Sequence, residues 1–481
     1  MAAPLVTRVL PADPIASLAD YQAAGGGRGL EAARRLGAKA TIDEIEASGL
    51  RGRGGGGFPT GVKWRTVAEH ASADVATTVI VNGAEGEPGS FKDRTLMRRT
   101  PYAVIEGALV AAFAVGADRV AVAIKESFGP ERERLAAAIE EVRQAGWCEG
   151  VNVGTSLGPS AYLFGEETAL LEVVAGRPPF PRIAPPFRHG TEEGGSRPSS
   201  SADTLMALEG ADGSAPTLIN NVETIAHAAG IMAEGAEWFR SLGTAESPGT
   251  VICTISGSTT RHGVAEVPMG TPLESVIDAV GGGARDGRRL VAAMSGVANA
   301  LIPAQLFDTI VTYEHLEAIG SGLGAAGFLV FDDADDLAAV AAGVSRFLAV
   351  ESCGQCTPCK ADGLVLADRL EKITAADSGP DDLATIDEKI ATVADGARCY
   401  LATQHETVLR SLLAVFPNAL SVHVDDTVAI TEVPLIAPIV DIVDDRAVLD
   451  ESQATKQPDW SHDDTDSGKT PVELSGSVPP A

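Results

Sequence analysis

The pattern of hydrophobic and polar positions predicts alternating strands and helices in the first half of the chain. Residues 76–85 and 119–127 each carry a short run of β-branched apolar residues that ends in polar ones, which is typical of a buried strand. Residues 101–118, between them, have the pattern of an amphipathic helix. Strands that alternate with helices indicate an α/β layered domain with a largely parallel sheet.

The patterning changes along the chain and predicts several domains. The predicted parts, in order, are a helical lead-in (1–48), an α/β domain (49–245) with a Gly-, Ser- and Pro-rich mobile insertion (188–215), a small β-rich module (250–332), a helical domain (335–430) and an acidic, largely disordered tail (431–481). The apolar first part of that tail is predicted to be an extended arm that lies on a neighbour.

Composition and charge limit the classes of function. With 481 residues, 45% of them hydrophobic, the chain is long enough for more than one domain, and its core is ordinary for a globular protein. The net charge of −29 argues against nucleic-acid binding, which needs a basic surface. The sequence has no run of 18 apolar residues and its N-terminus lacks a secretory signal pattern. We therefore expect a cytoplasmic protein without direct membrane insertion, which reaches a membrane only through partner subunits.

Four cysteines carry the strongest chemical signal. Cys353, Cys356 and Cys359 form a C-x2-C-x2-C run, and Cys399 follows far downstream. Four thiolates are a usual donor set for an iron–sulfur cluster, and three closely spaced thiolates with one distant thiolate fit a [4Fe–4S] cluster. Zinc is the alternative, although its sites more often pair two C-x2-C motifs, or one such motif with histidines. The other two cysteines are far apart in sequence, which indicates no disulfide framework and agrees with a reducing compartment.

A glycine-rich loop at residues 49–61 is the second candidate site. Gly52, Gly54 and Gly57 have G-x-G-x-x-G spacing, although a helical pattern precedes them instead of the strand of a dinucleotide-binding motif. Glycines let backbone N–H groups approach a phosphate closely, and nearby cations supply positive charge. The neighbouring cations are Arg51, Arg53 and Lys63. We expect a phosphate-containing ligand here, and a plain flexible loop is the alternative.

Three further segments place polar side chains at the ends of predicted elements. Residues 81–94 follow a predicted strand, the position at which α/β proteins bind ligands. Residues 165–172 open a predicted helix with two glutamates, and residues 219–228 open another with two asparagines. Helix capping is a serious alternative for both pairs, because acidic side chains and Asn stabilise helix N-termini.

Taken together and in this order, the motifs resemble those of one family. The segments GRGGGGFPTGVKW, NGAEGEPGSFKDR, AYLFGEETALLE, NNVET, EVPMGTPL and ESCGQCTPC are similar to those of the NADH- and FMN-binding flavoprotein subunit of respiratory complex I. Equivalent diaphorase subunits occur in NAD-linked hydrogenases and formate dehydrogenases. The resemblance spans residues 45–430. It implies a Rossmann-like FMN domain, a β-grasp-like (SLBB) domain and a C-terminal helical bundle that carries a [4Fe–4S] cluster.

The resemblance also implies the site residues. Those assigned to FMN binding are Gly52, Gly54, Gly55, Gly57, Lys63, Asn82, Glu85, Tyr162, Gly165, Glu166, Glu167, Asn220, Asn221 and Thr224. Phe58 and Glu87 match positions that face the nicotinamide nucleotide, and Glu87 and Glu167 are implied as catalytic. The implied cluster ligands are Cys353, Cys356, Cys359 and Cys399.

The implied function is that of an NADH dehydrogenase subunit. Hydride passes from NADH to FMN, and single electrons pass to the cluster and on to a partner iron–sulfur subunit, as in NADH:quinone oxidoreductase. The implied partner is a thioredoxin-like [2Fe–2S] subunit of a multi-subunit complex, because this chain has no cysteine before Cys148. One alternative is the diaphorase subunit of a soluble NAD-dependent formate dehydrogenase or hydrogenase. Another is a paralogue that keeps the cluster but has lost NADH oxidation.

Three departures from the family motivate that last alternative. Ala84 stands where the family usually has the Asp of Asn-x-Asp-Glu, and Thr66 stands where an aromatic residue commonly follows the glycine loop. The 188–215 insertion occupies a stretch that in the family includes a Gly-aromatic segment near the adenine ring. FMN binding tolerates these changes more readily than NADH binding does.

Overall fold

The computed structural model describes residues 3–71, 76–182, 216–425 and 430–457, and its first sheet is wholly parallel. The strands of this sheet are β1 (Thr78–Asn82), β2 (Arg119–Lys125), β3 (Asn152–Gly158) and β4 (Thr217–Asn221), in the order β3–β2–β1–β4. Because neighbouring strands all run parallel, their carboxyl ends share one edge of the sheet. Asn82 and Asn221 are register partners at that edge, so the ends of β1 and β4 lie side by side.

Helices that come before, between and after these strands in the sequence pack around the sheet. They are α1 (Leu18–Ala23), α2 (Arg28–Leu36), α3 (Ala38–Ser48), α4 (Thr60–His70), α5 (Lys92–Arg99), α6 (Pro101–Val115), α7 (Gly129–Gln144), α8 (Glu167–Val174), α9 (Val222–Glu234) and α10 (Ala236–Arg240). The expectation that 101–118 forms an amphipathic helix is wrong in one respect, because 14 of the 15 residues of α6 are buried. A Cβ on Gly107 would lie 1.9 Å from the Ile225 carbonyl oxygen, so α9 crosses α6 in direct backbone contact.

The N-terminal helices are tied to the same core. The carboxylate of Glu106 in α6 is 1% exposed and accepts hydrogen bonds from the Tyr21 hydroxyl and from the N–H groups of Gly27 and Leu30. Hydrogen bonds offset the cost of removing a carboxylate from water. The ends of α1 and α2 are therefore anchored onto the sheet layer.

A second, mixed sheet follows. Its strands are β5 (Thr250–Gly257), β6 (Gly263–Pro268), β7 (Leu290–Ser295), β8 (Ile302–Pro303) and β9 (Gly327–Asp332), in the order β6–β5–β9–β7–β8, with helices α11 (Leu273–Gly281) and α12 (Tyr313–Ala318). β5 and β9 pair in parallel, and the remaining pairs are antiparallel. Apolar side chains of α11 and of the strands form a core of their own.

The cysteine run lies in a helical region. Its helices are α13 (Leu337–Glu351), α14 (Thr357–Thr374), α15 (Pro380–Thr392), α16 (Leu401–Val415) and α17 (Ser421–Val424). α13 and α14 pack against each other, and Leu366 and Leu370 of α14 are buried with Val344 and Leu348 of α13. None of the helices within the described ranges has the length and apolarity to span a bilayer.

The C-terminal segment departs from its prediction. Within 431–481, the described residues include a hairpin of β10 (Ile439–Val443) and β11 (Arg446–Leu449), not a disordered tail. The predicted arm lies on its own chain, since Ile439 is buried and Arg98 of α5 pairs with Asp441 at 2.8 Å. Apolar residues in this stretch are buried against the rest of the chain, which the acidic composition of the segment does not indicate. Residues 458–481 and the predicted insertion lie outside the described residues.

Candidate functional site

A cleft of about 450 Å³ opens where the carboxyl ends of β1 and β4 meet the glycine-rich loop. Loops of the second sheet and the start of α16 complete its walls. This volume lies within the roughly 300–1,000 Å³ of typical ligand pockets. Every residue that the sequence assigned to FMN or to the nucleotide lines this one cleft. These are Gly52, Gly54, Gly55, Gly57, Phe58, Lys63, Asn82, Glu85, Glu87, Tyr162, Gly165, Glu166, Glu167, Asn220, Asn221 and Thr224.

The glycine loop leaves its backbone open to a ligand. Side chains at these positions would collide with neighbouring residues. Gly57 has φ +60°, and a Cβ there would lie 2.6 Å from the Tyr313 ring. A Cβ on Gly54 would lie 3.1 Å from Cβ of Asn221. The loop is closed by the Gly52 N–H, which donates to the Phe58 carbonyl at 2.8 Å. A bare backbone of this kind fits the phosphate end of a flavin mononucleotide.

The expected role of the loop arginines is wrong. Arg53 is 3% exposed and donates to the carbonyl oxygens of Pro248 and Thr250, away from the cleft. Arg51 lies over the Tyr313 ring, 4.1 Å from its centre. Neither arginine lines the cleft, whereas Lys63 does. The sequence showed three cations beside the loop but not which of them have partners elsewhere.

Lys63 forms an ion pair with Glu167, an acidic residue at the start of α8. Its ammonium lies 2.8 Å from Oε1 of Glu167, the first residue of α8. Among the described residues, Oε2 of Glu167 has no hydrogen-bond partner although it is buried. An unsatisfied buried acceptor is costly, and a donor on a bound ligand would satisfy it. The neighbouring Glu166 instead caps α8, as its side chain accepts from the Ala169 N–H, and burial raises the pKa of Glu166.

The loop after β1 combines pocket and structural roles. Asn82 donates through Nδ2 to the Gly165 carbonyl at 2.8 Å, which joins β1 to the start of α8. Glu85 lines the cleft, but its carboxylate accepts from Ser90 and from the backbone N–H groups of Asp93 and Arg94. It therefore caps α5, where a negative charge is favoured by the helix dipole.

The two asparagines after β4 also serve the fold. Asn221 is the N-cap of α9 and donates through Nδ2 to Asp93 at 2.7 Å. Oδ1 of Asn220 accepts from the Trp64 indole N–H at 2.8 Å. The Thr224 hydroxyl accepts from the Arg53 N–H and so fixes the glycine loop against α9. Capping and cleft lining thus coincide here.

A buried ionic group lies beneath these residues. The ammonium of Lys92 lies 2.7 Å from Asp93 and 3.0 Å from Glu223, and Lys92 is fully buried. Burial would raise the pKa of Glu223, but Lys92, His227 and Arg53 lower it to about 2. Burial raises the pKa of Asp93 to about 7 against the pull of Lys92. Glu223 also accepts from the Ile252 N–H, so the group joins the two sheets.

Glu87 lies between the cleft and the second sheet. Its carboxylate accepts hydrogen bonds from the Tyr162 hydroxyl and from the Val297 N–H at 2.6 Å. Burial raises the pKa of Glu87 to about 7, although both hydrogen bonds oppose the shift. A carboxyl group that titrates near neutral pH in a cleft is typical of a functional site.

The four cysteines lie around the start of two helices. Cys353 follows α13, Cys356 is the N-cap of α14, Cys359 lies in the first turn of α14, and Cys399 lies just before α16. Within the part of the chain that the structure describes, no three such side chains converge closely enough for a single metal ion. A zinc site requires that convergence, whereas each thiolate of a [4Fe–4S] cluster binds a different iron atom.

Polar groups already surround these thiols. The Ser352 hydroxyl lies 3.2 Å from Sγ of Cys359, and Gln355 donates to Sγ of Cys353 at 3.4 Å. Lys360 holds the turn together by donating to the carbonyl oxygens of Ala349, Val350 and Ser352. Burial raises the pKa of the Cys359 thiol to about 11. Soft sulfur donors with hydrogen bonds fit an iron–sulfur cluster.

Cys399 and the glycine loop line the same cleft. Leu401 and Gln404 of α16 lie beside Cys399 on that wall. The predicted flavin site and the predicted cluster site therefore share a wall. The sequence could not show this, because the segments come together only through the packing of three distant regions.

The structure adds cleft residues that the sequence did not single out. Asn299 and Gly324, from loops of the second sheet, line the cleft, and Arg398 does so beside Cys399. Of these three residues, Gly324 is the one that the sequence could have indicated, because its backbone angle φ of +51° favours glycine. Of the departures from the family, Ala84 is buried in the cleft, whereas Thr66 on α4 is not among its lining residues.

Comparisons with known proteins agree with this geometry. The model of the Nuo51 FMN-binding domain matches residues 45–229, and that of the NADH-ubiquinone oxidoreductase-F iron-sulfur binding region matches residues 339–423. One of the F subunits (F 2) of the NADH-quinone oxidoreductase of Rhizobium meliloti (strain 1021) is 35% identical over 423 residues, which cover 85% of this chain and 94% of that protein.

Relatives from hydrogenases are also similar. The NADP-reducing hydrogenase subunit HndC of Solidesulfovibrio fructosivorans is 33% identical over 420 residues, covering 85% of this chain and 81% of that subunit. The crystal structure of an NAD+-reducing [NiFe]-hydrogenase in the H2-reduced state superposes with a TM-score of 0.72 at 31% identity. That match covers 87% of this chain and 66% of the hydrogenase chain. The chain belongs to the family of the F subunits of NADH-quinone oxidoreductase, with an FMN-binding domain and a 4Fe–4S binding region.

Proposed function

We propose that this chain is the NADH-oxidising flavoprotein subunit of a multi-subunit electron-transfer complex. NADH gives up two electrons as a hydride, a cluster accepts one at a time, and FMN, when bound, supplies the chemistry that joins the two steps. The direction we propose is from NADH to FMN, to the [4Fe–4S] cluster and to a partner iron–sulfur subunit. The observation that carries this proposal is that Cys399 and the glycine loop line one cleft.

The chain's own residues would bind and orient the reactants. We assign the phosphate end of FMN to the backbone of the Gly52–Gly57 loop and to the start of α9, where Thr224 lies. Lys63, with its charge shared with Glu167, and Asn82 would hold the rest of the flavin. Phe58 and Glu87 line the part of the cleft assigned to the nicotinamide nucleotide.

Glu167 would act on the flavin through its charge. Its carboxylate faces the cleft with one oxygen unpaired among the described residues. A negative charge beside the flavin disfavours further negative charge on it. We therefore assign Glu167 a role in setting the reduction potential of FMN, and Glu87 a role in positioning the nucleotide.

Cluster ligation is assigned to Cys353, Cys356, Cys359 and Cys399. Electrons would leave toward a thioredoxin-like [2Fe–2S] subunit in the cytoplasm. We also propose that the first sheet belongs to a Rossmann-like domain, the second to a β-grasp-like (SLBB) domain and α13–α17 to the cluster bundle.

Oxidation of NADH with ferricyanide as acceptor tests this function on the purified chain loaded with FMN and cluster. Turnover that is lost in a Glu87→Ala, Phe58→Ala double variant with FMN retained supports the proposal. A loaded wild-type chain that binds both cofactors but does not oxidise NADH would favour the paralogue that has lost NADH oxidation.

A second candidate is the diaphorase subunit of a soluble NAD-dependent hydrogenase or formate dehydrogenase. The likeness to the NAD+-reducing hydrogenase chain and to HndC favours it. Affinity purification from the native cell decides between the two, because a nickel–iron or molybdenum-containing partner would select the diaphorase role. Co-purification of membrane-bound quinone-reducing subunits would select the respiratory role.

A further inference from the structure

A second, smaller cavity lies behind the loop that follows β1. Its volume is about 140 Å³, well below the roughly 300–1,000 Å³ of pockets for drug-sized ligands. The C-terminal segment forms its roof through Pro438, Val440 and Gln453. Tyr162 lines both this cavity and the main cleft.

Lys125 is the unusual feature of this cavity. It is the last residue of β2, at the edge of a parallel sheet where ligands commonly bind. Only 4% of the residue is exposed, and no described residue accepts a hydrogen bond from its ammonium or forms an ion pair with it. The ammonium lies 5.9 Å from the centre of the Phe128 ring. A Cβ on Gly86 would lie 2.5 Å from the Lys125 nitrogen. A buried ammonium without a hydrogen-bond acceptor is costly.

The other charged groups that face the cavity have hydrogen-bond partners of their own. Arg94 binds Glu131 at 2.8 Å. Glu351 accepts from Lys456 at 2.7 Å and from the Tyr162 N–H at 2.9 Å. Asp450 accepts from the Ser452 hydroxyl and N–H. Glu351 and Asp450 attract Lys125 through their charge. Among the described residues, however, neither carboxylate accepts a hydrogen bond from the Lys125 ammonium, which is left without a hydrogen-bond partner.

Two hydroxyl groups complete the polar lining. Ser127 and Ser160 both line the cavity, and their hydroxyls lie 2.8 Å apart. When one hydroxyl donates to the other, the second hydroxyl still has its own hydrogen to donate. An ammonium and a hydroxyl are donors suited to an anion, and the space suits a few non-hydrogen atoms rather than a nucleotide.

We propose that this cavity binds a small tetrahedral oxyanion, of the size of inorganic phosphate, between Lys125 and the C-terminal segment. The oxyanion accepts from the Lys125 ammonium and from the Ser127–Ser160 pair, and it supplies the hydrogen-bond acceptor that Lys125 lacks. Because Pro438 and Gln453 form the roof, occupation of the cavity also holds the C-terminal segment in place. This site is separate from the site of FMN and does not depend on NADH oxidation.

Calorimetric titration of inorganic phosphate into the FMN- and cluster-loaded chain tests the site, at constant ionic strength with chloride as the reference anion. We expect saturable binding of one phosphate per chain, shared by sulfate. Lys125→Met should weaken it at least tenfold, and Lys125→Arg should retain it. Lys39→Met is the matched control, since the Lys39 side chain is 84% exposed and lies in α3.

Two results would overturn the proposal. One is a loaded wild-type chain that binds phosphate no better than chloride. The other is a Lys125→Met variant that stays folded and binds phosphate with unchanged affinity, which would place the anion in the main cleft or on the surface. Melting temperatures of all variants, with and without phosphate, show whether each is folded.

Discussion

The hydroxyl of Tyr162 donates a hydrogen bond to the carboxylate of Glu87 and accepts one from Nε2 of Gln404 at 3.1 Å. Glu87 follows β1, and Gln404 lies in α16, close after Cys399. One phenol therefore links the proposed nucleotide side of the cleft to the helix that follows the distant cluster ligand.

Tyr162→Phe should raise the pKa of Glu87 further. The wild-type pKa is about 7, and the Tyr162 hydrogen bond favours the charged form. A hydrogen bond to a charged group is worth about 1.5–3 kcal/mol, which corresponds to about 1–2 pH units. If NADH oxidation uses the carboxylate form, the acidic limb of kcat/KM should move up by that amount. The pH profile should lose this limb in Glu87→Gln, and an unmoved limb in Tyr162→Phe would contradict the assignment.

Glu167→Gln should raise the reduction potential of bound FMN. Removing a negative charge from the cleft makes the reduced flavin easier to form. A change of 1.4 kcal/mol corresponds to about 30 mV for two electrons, so we expect a shift on the order of 30–60 mV. Spectroelectrochemical titration measures it. Glu172→Gln, farther along α8 and paired with arginines, is the control that should leave the potential in place.

Gly54→Ala should weaken FMN binding by at least tenfold. Its Cβ would lie 3.1 Å from that of Asn221 and would intrude on the backbone cradle. Gly154→Ala in β3 is a matched control, since no atom of the described residues lies within 4 Å of the added methyl group. FMN content after gel filtration gives the comparison. Equal loss of flavin from both variants would point to general destabilisation instead.

Glu223→Gln should destabilise the fold more than an exposed charge change does. Removing one partner of a buried ion pair costs up to about 3–5 kcal/mol. The lower part of that range is expected here, because Lys92 stays buried but keeps Asp93 as a partner. The pKa of Glu223 is depressed to about 2, so its contribution is present above pH 4.5 and is lost as the pH falls toward 2. Urea unfolding at pH 7 and at pH 3 should show a larger difference from wild type at pH 7. Asp43→Asn, in an exposed pair with Lys39, is the control that should leave the unfolding midpoint almost unchanged.

Cys399→Ala should abolish the cluster while leaving FMN in place. Cys399 is the ligand distant in sequence, and without it one iron of a [4Fe–4S] cluster lacks its thiolate. Iron and acid-labile sulfide per chain, with the electron paramagnetic resonance spectrum of the reduced protein, report the loss. Cys148→Ala should keep both, since Cys148 lies between α7 and β3, outside the cleft. A normal cluster in Cys399→Ala would refute the ligand assignment.

Features encoded by short spacings could be predicted from the sequence. The helical pattern around the cysteine run is confirmed. The residues that the family resemblance assigned to FMN line one cleft. Features that depend on distant partners could not be predicted. The sequence predicts Arg53 as a phosphate ligand, but in the structure it donates to the Thr250 carbonyl. The sequence predicts an arm or tail at 431–457, but in the structure Arg98 pairs with Asp441 in this segment. The sequence predicts an amphipathic α6, with one face exposed. The helix that covers this second face, α9, begins more than a hundred residues later, so the local pattern does not indicate it.

Anaerobic titration of the FMN- and cluster-loaded chain with NADH tests the central claim most directly. Flavin absorbance and the electron paramagnetic resonance signal of the cluster are followed in the same sample. We predict that NADH reduces the flavin and that the cluster signal then appears, because both sites share the wall formed by Cys399. Cofactors that stay oxidised with NADH but are reduced by dithionite would contradict the claim.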